Sequence, residues 1–220
     1  MMHQLSRIDY PEPEALQRIR TSTPVEEWNW DSFPTREKKT VRDTLLIMQD
    51  FRCAYCERML HDNEDDQEDK WDGHIEHFRR KNSAFHPELT FIWDNLFYSC
   101  CTKQTCGLHK DAFISKKSEY AKLIDPCKEN PEHFFVFDVT GKIQVRLNLS
   151  DSEKERAQFT IDAFNLNEAK LVQERLNVLK GHKWIKQFEK NKQCEILNAK
   201  RSKVPFVTAL YHYFGEKVVP

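Results

Sequence analysis

The sequence predicts an α+β protein: a small metal-holding ββα core set inside a mainly helical frame. Three observations predict it. Cysteines, histidines and aromatics crowd into residues 53–110. Two runs of β-formers flank Thr140-Gly141. Much of the remaining chain repeats its apolar residues at helical spacing. Of its 220 residues, 39% are hydrophobic and 31% charged, an ordinary balance for a chain that buries a real core.

The elements follow in order. The first 35 residues carry Pro11, Pro13, Pro24 and Pro34 and read as loop, with a short helix near Glu14 to Arg20. A helix begins after Thr35 and runs to about Asp50, because Val41, Leu45, Leu46 and Met48 share a face. Residues 1–50 form an N-terminal segment, residues 51–125 the core, and residues 126–220 a C-terminal region packing on the core or on a partner. Within the core, the run Glu64 to Lys70 has no apolar residue and reads as a solvated loop. The stretch Phe134 to Leu147 reads as a β-hairpin turning at Thr140-Gly141. Ser150 or Asp151 caps a helix with Phe159, Ala163 and Phe164 as its stripe. One long amphipathic helix is expected from about Glu168 to Lys190, and a short one from Val204 to Phe214.

Charge and cysteine usage narrow the classes. The net charge of -1 hides an acidic stretch from Asp62 to Asp72 and basic stretches at Arg79 to Lys81 and Lys180 to Lys203. A local basic patch suffices to bind nucleic acid, so a neutral total leaves that class open. No stretch approaches the ~20 apolar residues of a membrane span, and Met1 to Tyr10 has no apolar signal core, so the chain reads as cytoplasmic. Seven cysteines in such a chain point to metal ligands or buried thiols rather than a disulfide framework.

Cys53-Ala-Tyr-Cys56 offers two thiolates on one tight turn, half of a tetrahedral zinc site. Cys100 and Cys106 complete a four-cysteine set, with Cys101 competing for the third position. Between the pairs lies Gly73-His-Ile-Glu-His-Phe-Arg-Arg-Lys81. Phosphodiester hydrolysis needs a base for water, a divalent cation and positive charges for the backbone. His77 fits the base, Glu76 a hard oxygen ligand, and Arg79, Arg80 and Lys81 the phosphate contacts. On a strand His74 shares the face of Glu76, which makes it a further ligand candidate beside a plain core or surface histidine. Asn95 is placed to orient the His77 ring. His109 offers a nitrogen ligand on the opening turn of a helix, and Lys110 a phosphate contact.

The order C-x2-C, Ile-Glu-His, Asn95-Leu with a following cysteine, then Cys106-Gly-Leu-His-Lys110 resembles the HNH endonucleases. Cys53-Ala-Tyr-Cys-Glu57, His74-Ile-Glu-His-Phe-Arg79, Pro87-Glu-Leu89, Trp93-Asp-Asn-Leu96, Ile124-Asp-Pro126, Asn130-Pro131, Gly141-Lys-Ile143 and Leu166-Asn-Glu168 are similar to the PtuB-type subgroup. The resemblance implies a ββα core with one catalytic Mg2+ or Mn2+ and a structural Zn2+ on four cysteines. It implies His77 as general base, Glu76 and His109 on the catalytic metal, and Asn95 as the middle signature residue. It also implies antiphage defence beside an ABC-type, PtuA-like ATPase, in Septu-like or retron complexes. DNA is the default substrate, with RNA, including tRNA, left open. The chain departs from the usual pattern after Cys101. Lys103 stands where a second cysteine pair normally ends, and Gly107 follows Cys106. This reads as a three-residue insertion that moves the last ligand to His109. Arg80 stands where relatives often have Pro. Two other readings compete: a non-catalytic zinc module that binds nucleic acid, and an ATPase-docking subunit that presents the helix from Glu168.

Overall fold

A computed structural model describes residues 2–60 and 72–214. The acidic run Glu64 to Lys70 lies outside the described residues. Helix α1 spans Glu14–Ser22 and α2 Thr35–Met48, each starting directly after a proline whose fixed φ suits a helix entrance. The 24–34 linker carries a 3-10 turn at Val25–Glu27, and its Trp30 and Phe33 pack with Phe91.

Strands β1 (Gly73–His77) and β2 (Leu96–Cys100) pair antiparallel, with Glu76 opposite Phe97 and His77 opposite Leu96. Helix α3 (Cys106–Phe113) follows and packs on β2. Gln49, at the end of α2, binds the far side of β2 through its side chain. Its Oε1 accepts from Tyr98 N at 2.8 Å, and its Nε2 donates to Tyr98 O at 2.9 Å. That amide pair fixes α2 against the strand just before the chain turns into the first cysteines. The turn itself runs through left-handed backbone at Asp50, Phe51 and Glu57.

Beyond the core come α4 (Pro131–Phe134), β3 (Phe135–Phe137) and β4 (Ile143–Val145). The hairpin closes through a loop at 138–142, where Gly141 sits at φ 84° and a β-carbon would meet Val172 O at 2.8 Å. Helix α5 (Asp151–Ala163) opens with a reciprocal capping box between Ser150 and Glu153.

The expected long helix from Glu168 to Lys190 is a correction. Helix α6 (Ala169–Gly181) stops at Gly181, a 3-10 turn covers Lys183–Gln187, and α7 (Lys190–Lys200) starts anew. Glycine is the weakest helix former after proline, and the break lets Ile185 reach the interior, where it is fully buried. Helix α8 (Val207–Phe214) ends the described chain. The apolar stripe of α6, Leu171 and Leu179, is buried within the chain itself. It is therefore not presented to a partner. Buried residues of the N-terminal, central and C-terminal stretches, from Met2 through Phe97 to Phe214, join in one hydrophobic cluster. No described helix is long and apolar enough to cross a membrane.

Candidate active site and metal centre

The four cysteines come from three separate places. Cys53 and Cys56 sit on the turn after α2, Cys100 ends β2, and Cys106 opens α3. The turn is tied by Cys53 N to Arg58 O at 2.9 Å and Glu57 N to Cys53 O at 3.1 Å. Cys106 lies in left-handed backbone at φ 58°, and its N–H donates to Phe164 O at 2.8 Å. Their sulfurs all lie within 4.8 Å of one another, and all four residues are buried. Thiolates about 2.3 Å from one zinc stand roughly 3.8 Å apart in a tetrahedron, so the arrangement fits that ion. The set is soft, closed and four-coordinate, the chemistry of a structural site. Hydrogen bonds from the other three hold the Cys100 thiol far below the usual range, while burial pushes Cys106 well above it. Cys101 stays outside the cluster and is exposed.

Next to this centre, Glu76 and His77 occupy the end of β1. Glu76 is buried. Its Oε1 accepts from the Lys110 ammonium, and its Oε2 lies 3.6 Å from His74 Nε2. Burial alone would raise its pKa, but Lys110 and then His74 hold it down at about 2, so it is ionised. The period of two puts His74 and Glu76 on one face, as expected. Burial opposes the His74 cation, yet its contacts with Cys101 and Glu76 carry it to about 10.

His77 packs edge-on to Trp30, with ring centroids 4.8 Å apart. Burial, then the charge of Lys81, takes its pKa down to about 3, which leaves the ring neutral at neutral pH. Its Nε2 lies 3.0 Å from Thr90 O. A carbonyl can only accept, so Nε2 carries the proton and Nδ1 holds the lone pair. The residue that orients His77 is thus Thr90, through its backbone, and not Asn95. Asn95 is instead the clasp of the β1–β2 connection. Its Oδ1 accepts from Arg79 N at 2.8 Å, and its Nδ2 donates to Arg79 O and Leu89 O.

Three other expectations change. Lys110 is fully buried, its ammonium also donating to His77 O at 2.7 Å and Phe78 O at 2.9 Å, so it braces the site and does not reach solvent. Arg80 stacks on Phe85 at 4.3 Å and donates to Ile114 O, which commits it to the fold. His109 sits two residues from Gly107 on α3, about 200° around the helix. Its Nδ1 meets Ala163 O at 2.9 Å and its ring stacks on Phe113, away from Glu76. The positions of α3 that face Glu76 are Gly107 and Lys110. Residue counting alone puts His109 at the ligand position, whereas helix phase turns its ring towards Ala163 and Phe113. Arg79 and Lys81 remain half-buried beside His77.

No profile of a known protein family matches the chain. It is 30% identical over 166 residues to a protein of Vibrio cholerae serotype O1 biovar El Tor described as a candidate HNH endonuclease of retron Vc95, an alignment covering 73% of this chain and 74% of that one. It is 27% identical over 173 residues to the Septu protein PtuB of Bacillus mycoides strain KBAB4, covering 67% of this chain and 54% of the relative.

Proposed function

Because the chain belongs to the HNH-type family of Septu and retron proteins, we propose that it is a metal-dependent nuclease. The substrate is a nucleic-acid phosphodiester, DNA first. The observation that carries this reading is the fixed His77 ring: neutral, protonated on Nε2 by the demand of Thr90 O, and adjacent in the chain to the ionised Glu76. His77 Nδ1 takes a proton from water as the water oxygen bonds to phosphorus. The bond from phosphorus to the 3′ oxygen breaks, and the leaving oxygen is protonated by solvent. A divalent cation held at Glu76, Mg2+ or Mn2+, supplies charge stabilisation to the phosphate and the leaving oxygen when bound.

The β1–β2 pair followed by α3 supports assignment to the ββα-metal architecture. The four cysteines hold Zn2+, which ties the turn after α2 to β2 and α3. Arg79 and Lys81 contact phosphates from the loop that follows β1. The likeness to PtuB supports a role in antiphage defence beside an ABC-type ATPase of the PtuA kind.

The test is cleavage of plasmid DNA and total RNA by wild type and His77→Ala, with Mg2+ or Mn2+, alone and with the co-expressed ATPase. Loss of about 10²–10⁴ in rate in the variant is expected from removal of a general base. A variant that cuts at the parental rate sinks the assignment.

A further inference from the structure

The position of helix α3 packed directly on Glu76, Gly107, carries no side chain. A β-carbon at Gly107 would stand 2.6 Å from Glu76 Cδ and Oε2, so the glycine lets the carboxylate pack directly against the helix backbone. Lys110 occupies the other carboxylate oxygen, Oε1. His109 is turned to Ala163 and Phe113. The donor that does face Oε2 lies on the strand of Glu76 itself: His74, with Nε2 3.6 Å away.

We propose that His74 is the second protein ligand of the catalytic divalent cation, which would take the place of the Nε2 proton and lie between His74 Nε2 and Glu76 Oε2. The inference rests on the nuclease reading and names the donor set of that site. Two donors each about 2.1 Å from one ion stand roughly 3.0–3.4 Å apart across octahedral to tetrahedral angles, so the observed 3.6 Å needs to close by only a few tenths of an ångström. The second nitrogen of His74, Nδ1, lies 3.7 Å from Cys101 Sγ. A metal-bound histidine characteristically gives its other N–H to an acceptor that fixes its tautomer and angle, and Cys101 fills that role. The His74 side chain is 30% exposed and the Glu76 side chain 3%, so the ion enters from the His74 side. A cation with only two protein donors keeps open positions for water and a phosphate oxygen, as a hydrolytic Mg2+ or Mn2+ does.

The test is Mn2+ titration of the full zinc-loaded chain, with free Mn2+ counted by electron paramagnetic resonance. Zinc content serves as the folding control. Wild type binds Mn2+. His74→Ala weakens that binding at least about tenfold, the lower end of what loss of even an outer partner costs. His74→Asp, which restores a hard donor, recovers part of it, and His109→Ala binds as wild type does. Undiminished Mn2+ affinity in zinc-replete His74→Ala overturns the proposal, as does a wild type that takes up no Mn2+ or a His109→Ala protein that loses it. Cleavage by wild type and His77→Ala, run in parallel, judges the nuclease reading. If cleavage depends on His77 while His74→Ala keeps its Mn2+, only the ligand assignment fails.

Discussion

Arg58 Nη1 lies 3.8 Å from the sulfur of Cys100, while Nε and Nη2 of the same guanidinium hold Glu174 at 2.9 and 2.7 Å. A zinc ion on four thiolates carries two net negative charges. Arg58 is one compensating cation. Arg175 is the other, fully buried and kept charged near Cys56 and Cys106 although burial lowers its pKa to about 10. Arg58→Ala should therefore lose zinc to a competing chelator, with affinity down about 10–100-fold, and Arg58→Lys should fall between. Equal chelator resistance in all three proteins would remove this charge-balancing role.

Cysteine replacement should separate the cluster from its neighbour. Cys56→Ser or Cys106→Ser is expected to abolish zinc binding and lower the melting temperature sharply, because metal affinity at such a site is folding free energy. Cys101→Ser should keep both its zinc and its melting temperature, since Cys101 is exposed outside the cluster. Metal analysis and a thermal melt on the three proteins decide the matter.

The lysines should divide the same way. Lys110→Met leaves the buried Glu76 carboxylate without its nearest cation and should cost about 3–5 kcal/mol in denaturant unfolding. Lys81→Ala should leave stability unchanged and reduce the salt slope of nucleic-acid binding by about 1. The reverse pattern would return Lys110 to the role of phosphate contact.

Glu57 provides a pH signature. Burial opposes its charge, but contacts from His3 and Thr208 help hold its pKa at about 2, below the ordinary 4.5. The folded value is depressed, so the stabilisation is complete above about pH 4.5 and drains away as pH falls towards 2. Glu57→Gln should be less stable than wild type at pH 7, and the gap should narrow between pH 4.5 and 2. A gap that stays constant with pH would show that the carboxylate charge contributes nothing.

What could be read from the sequence was whatever depends on local pattern. The Cys53-x2-Cys56 spacing, the Ser150–Glu153 capping box and the alternation of His74 with Glu76 each act within a few residues, and the structure has all three. Thr90 escaped notice because it works through a carbonyl, a group that every residue carries. The burial of Lys110 is not legible in the sequence, because exposure depends on what packs against it, and a lysine next to a histidine gives no sign of a buried carboxylate 34 positions away. The break after Gly181 was missed for a similar reason: Ile185 fits a helical stripe in either arrangement, and only the interior it enters selects one.

The first cysteine turn is closed by the far end of the chain. Arg52 donates to Val204 O at 3.1 Å, Phe206 N–H donates to Glu57 O at 3.0 Å, and Thr208 N–H donates to the Glu57 carboxylate at 3.0 Å across 151 positions. During synthesis the cysteine turn therefore leaves the ribosome long before the segment that seals it. At about 5–20 residues per second, this leaves roughly eight to thirty seconds in which thiols already made lack their final cover. Metal loading in that interval takes place on an open turn. Packing of the 204–208 segment then covers the turn, and would shut in a metal held on its thiols.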